Sequence, residues 1–131
     1  MLDSSAAVEW LLGRPASSEV AARFADPDLA VHAPTLLGVE VASALRRLVL
    51  GGHMPAGRGA IALDDLRATD ICFHDPLPLL PRAWELRANL SASDAVYVAL
   101  AEALGATLVT GDARIARAPG TSIAVDVVPI G

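Results

Sequence analysis

The sequence has 131 residues, which is enough for one domain of ordinary size and too few for two. Apolar residues make up 53% and charged residues 19%, a balance that excludes intrinsic disorder and supports a buried core. The single cysteine, Cys72, excludes an internal disulfide and a multi-thiolate zinc site, so we expect a reducing cytoplasm. No apolar stretch reaches the roughly 18–20 residues of a membrane span, and the first ten residues lack the basic residues of a secretory signal.

The charge of the chain narrows the possible functions further. Acidic residues number 15 against 10 basic ones, and every basic residue is arginine. The absence of lysine argues against a P-loop, a Schiff-base enzyme and a receiver-type phosphoacceptor domain, since each needs one. A net charge of −5 makes the chain a poor passive binder of nucleic acid, unless several acids gather around metal ions.

Helical periodicity alternates with short apolar runs along the chain. In order, we predict helices over 6–12 and 17–24, a strand over 29–32, helices over 35–50 and 55–67, a strand over 70–74, a helix over 81–90, a helix capped by Ser91 or Ser93 that ends at 104, and strands over 107–110 and 123–128. Pro34 is assigned to the first turn of the third helix, and Cys72 to the core. The alternation predicts an α/β fold with a mainly parallel sheet and helices on both faces.

Four acids occupy positions that surface solvation does not readily explain. Asp3 precedes the first helix and Asp112 follows a buried strand, although an N-cap and a turn would account for them. Asp94 lies in the first turn of an apolar helix, where the helix dipole alone would favour it. Glu40 has no basic residue three or four positions away, and its ordinary explanation is an exposed stripe on a half-buried helix.

Taken together, the four acids predict a metal site. Open parallel sheets place their ligands at the carboxyl ends of the strands, and Asp3, Asp94 and Asp112 all fall near such ends. Clustered carboxylates repel one another unless a cation is present. A set of oxygen ligands selects a hard ion, Mg²⁺ or Mn²⁺, which can also bridge to substrate phosphates.

The same residues carry a resemblance to a known family. The matching stretches are Asp3-Ser4-Ser5-Ala6, Glu40-Val41 through Leu45, Ser93-Asp94-Ala95-Val96-Tyr97-Val98-Ala99-Leu100-Ala101, and Leu108-Val109-Thr110-Gly111-Asp112. In this order they resemble the PIN-domain ribonucleases, and specifically the small VapC-type toxins of bacterial type II toxin–antitoxin pairs. The resemblance covers essentially the whole chain, and its most specific part is the Asp94 helix followed by Thr110 and Asp112.

The resemblance implies a fold, an activity and partners. It implies a single three-layer PIN-like domain over 1–131, with four to five sheet strands. The implied activity is that of a Mg²⁺- or Mn²⁺-dependent endoribonuclease, with Asp3, Glu40, Asp94 and Asp112 as the acidic quartet supported by Thr110 and Ser5. The implied partners are an RNA substrate, a second copy in a homodimer, and a VapB-type antitoxin whose C-terminal segment blocks the site.

Phosphodiester hydrolysis suggests roles for these residues. We assign Asp3, Asp94 and Asp112 to the tighter metal position, and Glu40 to a ligand or water-orienting role. Arginine grips phosphate bidentately, so RNA contacts are expected among arginines near the site in sequence. These candidates are Arg14, Arg46, Arg47, Arg114 and Arg117, although for any one of them a solvated helix face is the more ordinary explanation.

Three other functions remain open at this point. A catalytically inactive relative could act as a binding module, although retention of all four carboxylates argues against it. A metal-independent ribonuclease could use His32, His53 or His74, but these residues show no clear acid–base pairing in sequence. A Mg²⁺-dependent phosphatase or receiver would need a second acid close to Asp3, which is missing.

Overall fold

A computed structural model describes residues 1–130 and shows helices and strands in alternation. The elements are α1 (Ser4–Leu11), α2 (Ser17–Arg23), β1 (Val31–Pro34), α3 (Leu36–Leu50), α4 (Ala56–Ala68), β2 (Ile71–His74), a 3-10 turn (Leu77–Leu79), α5 (Leu80–Glu85), α6 (Ala92–Leu104), β3 (Leu108–Thr110), α7 (Ala113–Arg117) and β4 (Val125–Val127). The predicted α/β class is confirmed.

The first three residues join two parallel strand pairs into one sheet. β1 pairs with β2, and β3 pairs with β4, both in parallel. The backbone N–H of Leu2 donates to the carbonyl of His32 at 3.1 Å, while Asp3 N–H donates to Val109 at 3.2 Å. Val109 N–H returns a bond to Met1 at 2.9 Å. The order is therefore β2, β1, residues 1–3, β3 and β4, which confirms the predicted four to five strands only in part, because residues 1–3 form a single bridge and not a full strand.

Two groups of helices pack on this framework. α1 contacts α2, α3, α4 and β3, whereas α6 contacts α5, β1 and β3. Every residue of α6 from Ala95 to Ala101 is buried, which confirms the prediction of a central apolar helix. The core is built around Leu2, Leu37, Tyr97 and Leu108, each with at most 2% of its surface exposed. Asp94, in the first turn of α6, is thereby fixed at the boundary of the core.

Several predicted boundaries were wrong. The first strand runs over Val31–Pro34 rather than 29–32, so Pro34 ends a strand instead of opening a helix. The missing N–H of Pro34 is tolerated because the ladder continues through Thr35, whose N–H donates to the carbonyl of His74. The helix predicted over 81–90 ends at Glu85, because the following N–H groups bond three residues back in tight turns. The short α7 was not predicted.

Cys72 is exposed, which corrects its assignment to the core. It lies in β2, which ends the strand order among the described residues, and the next residue, Phe73, is exposed as well. An apolar strand at the edge of a sheet lacks the second layer that would bury both of its faces. Within residues 1–130, every helix is too short or too polar to cross a lipid bilayer.

Candidate functional site

Asp3 lies at the junction between the first helix and the centre of the sheet. It is the N-cap of α1, and its Oδ1 accepts a hydrogen bond from the N–H of Ala6 at 3.0 Å. The same oxygen accepts from the Ser5 hydroxyl at 2.7 Å, and Oδ2 accepts from the hydroxyl of Thr110. Only 6% of Asp3 is exposed. The N-cap role considered from the sequence is therefore confirmed, and Asp3 also accepts hydrogen bonds from the hydroxyl groups of Ser5 and Thr110.

The end of β3 is tied to the start of α1 by hydroxyl groups. The backbone N–H of Gly111 donates to Ser5 Oγ at 2.8 Å, and that of Asp112 donates to Thr110 Oγ1 at 3.0 Å. A Cβ at Gly111 would overlap the side chain of Ile130, which would have to move, and would lie 3.2 Å from Ser5 Oγ. Ser5 and Thr110 thus position the Asp3 carboxylate and the turn that carries Asp112.

The environment of Asp3 disfavours its charge. Burial raises the pKa of Asp3, and the neighbouring charge of Asp94 raises it further. Hydrogen bonds from Thr110, Ala6 and Ser5 lower the pKa and offset part of that effect. The negative charge of Asp3 is stabilised mainly by these donated hydrogen bonds, because no cationic side chain lowers the pKa of Asp3.

Glu40 projects from α3 toward the same group of acids. Burial raises the pKa of Glu40, the Tyr97 hydroxyl lowers it, and the charges of Asp94 and Asp3 raise it again. Among the described residues, neither Glu40 Oε1 nor the Tyr97 hydroxyl has a hydrogen-bond partner, although both atoms are buried. The two groups are therefore near enough to influence each other but do not meet in hydrogen-bonding geometry. A buried carboxylate oxygen without a donor is costly, and a bound cation or water would satisfy it.

Asp94 and Asp112 complete the set of four acids. Ser91 caps α6 by accepting a hydrogen bond from the N–H of Asp94 at 3.2 Å. Burial raises the pKa of Asp94, and Asp112 raises it further, while Ser91 and Arg114 lower it. Asp112 instead forms a two-point ion pair with Arg114, whose closest N–O distance is 2.7 Å, and this pairing lowers the pKa of Asp112.

The four acids suit a hard divalent cation in charge and in donor type. All of their donors are oxygens, three of the four have raised pKa values, and Glu40 Oε1 lacks a partner. Over residues 1–130, however, no three His, Cys, Asp or Glu side chains are arranged to enclose an ion. Two of the carboxylates are engaged elsewhere, because Asp3 accepts from three protein donors and Asp112 is clamped by Arg114.

The candidate arginines separate into distinct places. Arg14 and Arg47 line a cavity of about 450 Å³ together with Ser5, Glu9 and Glu40. Arg46 lines a different groove, between α3 and α4, although it is the direct neighbour of Arg47. Arg114 pairs with Asp112, and Arg117 is exposed in the last turn of α7. Of the five candidates, two thus share a cavity with one of the acids.

Comparison with known proteins assigns the family. A family model described as "PIN domain" matches residues 1–120. The chain belongs to the PIN domain family. Its relatives include Ribonuclease VapC9 of Mycobacterium tuberculosis, which is 39% identical over 129 residues, covering 98% of both chains. Ribonuclease VapC12 of the same species is 35% identical over 128 residues, with the same coverage. Ribonuclease VapC1 is 40% identical over 121 residues, covering 92% of this chain and 90% of the relative.

Sequence reasoning missed two residues of this PIN domain that border the acids. Tyr97 was included only as part of the matching α6 stretch, yet its buried hydroxyl lies beside Glu40. Glu9 is only 3% exposed and lines the cavity that holds Arg14 and Arg47. Glu9, like Glu40, is an acid among apolar residues of a predicted helix, and this pattern could have marked it as a candidate.

Proposed function

We propose that this PIN-domain chain is an endoribonuclease toxin that hydrolyses RNA phosphodiester bonds with Mg²⁺ or Mn²⁺. The observation that carries the proposal is the burial of Asp3, Glu40 and Asp94 close to one another. Burial is the main cause of the raised pKa of each acid, and a neighbouring acid raises each pKa further. Carboxylates placed in this way are costly to ionise unless a cation is bound.

We assign the metal to Asp3, Asp94 and Asp112, with Glu40 as a further ligand or as the residue that orients water. When bound, the ion would supply an activated water and stabilise charge on the phosphate oxygens. Thr110 and Ser5 hold the Asp3 carboxylate in one orientation through their hydroxyl groups. Fixed orientation of this kind holds the Asp3 carboxylate in place, whereas Asp112 would have to leave Arg114 to join it at an ion.

RNA binding is assigned first to Arg14 and Arg47. Both line the cavity of about 450 Å³ that also reaches Glu40 and Ser5. A guanidinium in this position can hold a phosphate by two hydrogen bonds while the adjacent linkage lies near the carboxylates. Arg46, Arg114 and Arg117 stay in the proposal as weaker candidates, because none of them lines this cavity.

The test is cleavage of total RNA by the purified chain with Mg²⁺ or Mn²⁺, and with a chelator in place of the metal. We expect cleavage only with metal, and we expect 5′-phosphate ends because an activated water attacks the phosphorus and the 3′ oxygen leaves as a hydroxyl. Ends with 2′,3′-cyclic phosphate, formed without metal, would instead favour a histidine ribonuclease. Absence of cleavage with either metal would favour an inactive binding module.

Neutralisation by an antitoxin and assembly as a homodimer are further parts of this proposal. Apolar side chains exposed on the surface include Leu77, Leu80 and Trp84, and Trp84 is 69% exposed. A partner that covered them would remove apolar area from water. We also propose that residues 1–131 form one domain acting in the cytoplasm, where Cys72 stays reduced.

Co-expression tests the toxin assignment. The chain alone should arrest growth, and the product of the adjacent upstream gene should relieve the arrest. Light scattering tests the homodimer, because a mass of twice 13.5 kDa is expected for the purified chain. A growing culture that expresses the active chain without a partner would contradict the toxin assignment while leaving the nuclease assignment intact.

A further inference from the structure

His32 and His74 form a pair that the proposed nuclease reaction does not use. His32 lies in β1 and His74 ends the neighbouring parallel strand β2. His32 Nδ1 and His74 Nε2 are 2.9 Å apart, and the ring centroids are 5.1 Å apart at an interplanar angle of 39°. Both residues are half-buried, so the pair is sheltered by the sheet yet reachable from solvent.

Two imidazoles this close can serve as ligands to one ion if the rings turn so that the lone pairs of the facing nitrogens meet at one point. In the present contact one of the facing nitrogens donates a proton and the other accepts it. Burial lowers the pKa of His32, as do the nearby His74 and the N-terminal amine, so this ring is neutral at pH 7. If each ring carries a single proton, on its outer nitrogen, both facing nitrogens become ligands.

We propose that His32 and His74 form a binding site for a divalent transition metal such as Ni²⁺ or Zn²⁺. A metal about 2.05 Å from each nitrogen spans their 2.9 Å separation with an N–metal–N angle of roughly 90°. That angle suits two adjacent positions of a square-planar or octahedral ion, and a tetrahedral ion needs only a separation of about 3.3 Å.

The ligand type separates this site from the acidic one. Imidazole nitrogen favours Ni²⁺, Cu²⁺ and Zn²⁺, whereas carboxylate oxygens favour Mg²⁺ and Mn²⁺. Within residues 1–130, no third His, Cys, Asp or Glu completes a metal-binding group with the pair, so water would occupy the remaining positions of a bound ion. Cys72 is cross-strand from His32 in the ladder but is not assigned as a ligand.

The test uses the full chain without a histidine tag, titrated calorimetrically with Ni²⁺ and then with Zn²⁺ at pH 7.5. We expect the wild-type chain to bind one equivalent when excess Mg²⁺ is present in every titration to occupy the acidic group, because carboxylate ligands would otherwise take up Ni²⁺ as well. His74→Gln removes one of the two imidazole ligands and should weaken binding about tenfold or more. His53→Gln is the matched control, because His53 is exposed and lies outside the pair. It should bind as the wild type does.

Two further variants separate this site from its neighbours. Asp94→Asn alters the acidic group and should leave Ni²⁺ affinity unchanged, so the site would survive even if the nuclease proposal failed. Cys72→Ser should also leave affinity unchanged, and a tenfold loss would contradict a site made of two imidazoles. Circular dichroism of each metal-free variant checks that the fold is retained.

The proposal fails if the wild-type chain binds neither Ni²⁺ nor Zn²⁺ at millimolar concentration. It fails equally if a folded His74→Gln variant binds as tightly as His53→Gln. In either case the contact between His32 and His74 would be a structural hydrogen bond between two strands. If His74→Gln does not fold, two other measurements test the proposal in the same way. These are Ni²⁺ binding by His32→Gln, and the change in the ¹⁵N chemical shifts of the wild-type imidazoles when Ni²⁺ is added.

Discussion

The hydroxyl of Thr110 donates a hydrogen bond to Oδ2 of Asp3, and so links two residues separated by 107 positions in the chain. Thr110 ends β3 and Asp3 caps α1, so this contact helps to fix the first helix to the centre of the sheet. Both residues are buried, and the donated bond favours a charge that burial opposes. The bond therefore serves the stability of the fold and the state of the carboxylate together.

Thr110→Val should destabilise the metal-free chain. Valine keeps the shape of threonine but leaves the buried Asp3 carboxylate without one of its donors, which costs about 1–3 kcal/mol in the free energy of unfolding. Urea unfolding at pH 7 measures the loss. Thr69→Val is the control, because the Thr69 hydroxyl bonds only to a local backbone carbonyl, of Leu66. Equal losses in the two variants would contradict a special role for the bond to Asp3.

Asp94→Asn should abolish metal-dependent RNA cleavage without loss of folding. In metal-free buffer the change should be neutral or stabilising, since burial and Asp112 already disfavour the charge of Asp94. Asp65→Asn removes the same charge from an exposed position of α4 and should change neither property. Cleavage assays and melting temperatures measured with and without Mn²⁺ decide the matter. Full activity of Asp94→Asn would remove Asp94 from the site.

The metal-free chain should become more stable as the pH falls from 7 through the folded-state pKa values of Asp3, Glu40 and Asp94. These values are raised above those of the unfolded chain, so the folded state binds more protons in that window. The stabilisation is complete below the unfolded values near 4 and is lost as the pH rises. The pH dependence contributed by Asp112 has the opposite sign. Its pKa is lowered in the folded chain, so its ionised form stabilises the fold at neutral pH, and this stabilisation is lost as the pH falls through the lowered pKa.

Melting curves in chelator between pH 4.5 and 7.5 measure this dependence. Asp94→Asn should flatten it, since one of the three raised groups is then absent. Saturating Mn²⁺ should flatten or reverse it, because bound metal favours the charged carboxylates. A wild-type melting temperature that rises steadily with pH in chelator would contradict the raised pKa values.

Arg47→Gln should weaken RNA binding more than Arg46→Gln does. The two residues are adjacent in α3, but only Arg47 lines the cavity shared with Glu40. Loss of one phosphate contact should raise KM and reduce the slope of log affinity against log salt by about 1. Because the two variants have the same net charge, equal effects would show that overall charge, and not the cavity, governs RNA binding.

Tyr97→Phe should leave the stability of the metal-free chain within about 0.5 kcal/mol of the wild type. A buried hydroxyl without a partner contributes no hydrogen bond, so its removal avoids a desolvation cost. Chemical denaturation in chelator provides the measurement. A loss of more than 1 kcal/mol would show that Tyr97 and Glu40 form a hydrogen bond in solution.

The sequence alone was sufficient for features that depend on local spacing. Periodicity placed the helices that became α1 to α4 and α6 to within about two residues, because burial of one helical face repeats along the chain. The N-cap character of Asp3 and the central position of α6 followed from the same local rules. The α5 helix was predicted four or five residues too long, since tight turns and a helical turn share similar side-chain patterns.

Tertiary structure alone decided which distant residues meet. Sheet register brings His32 beside His74 and Thr110 beside Asp3, and no spacing rule along one strand contains that information. The exposure of Cys72 likewise depends on β2 lying at the edge of the sheet. Short-range periodicity reports the neighbours of a residue within one element, whereas contacts between elements depend on the order in which strands pair, which the chain acquires only on folding.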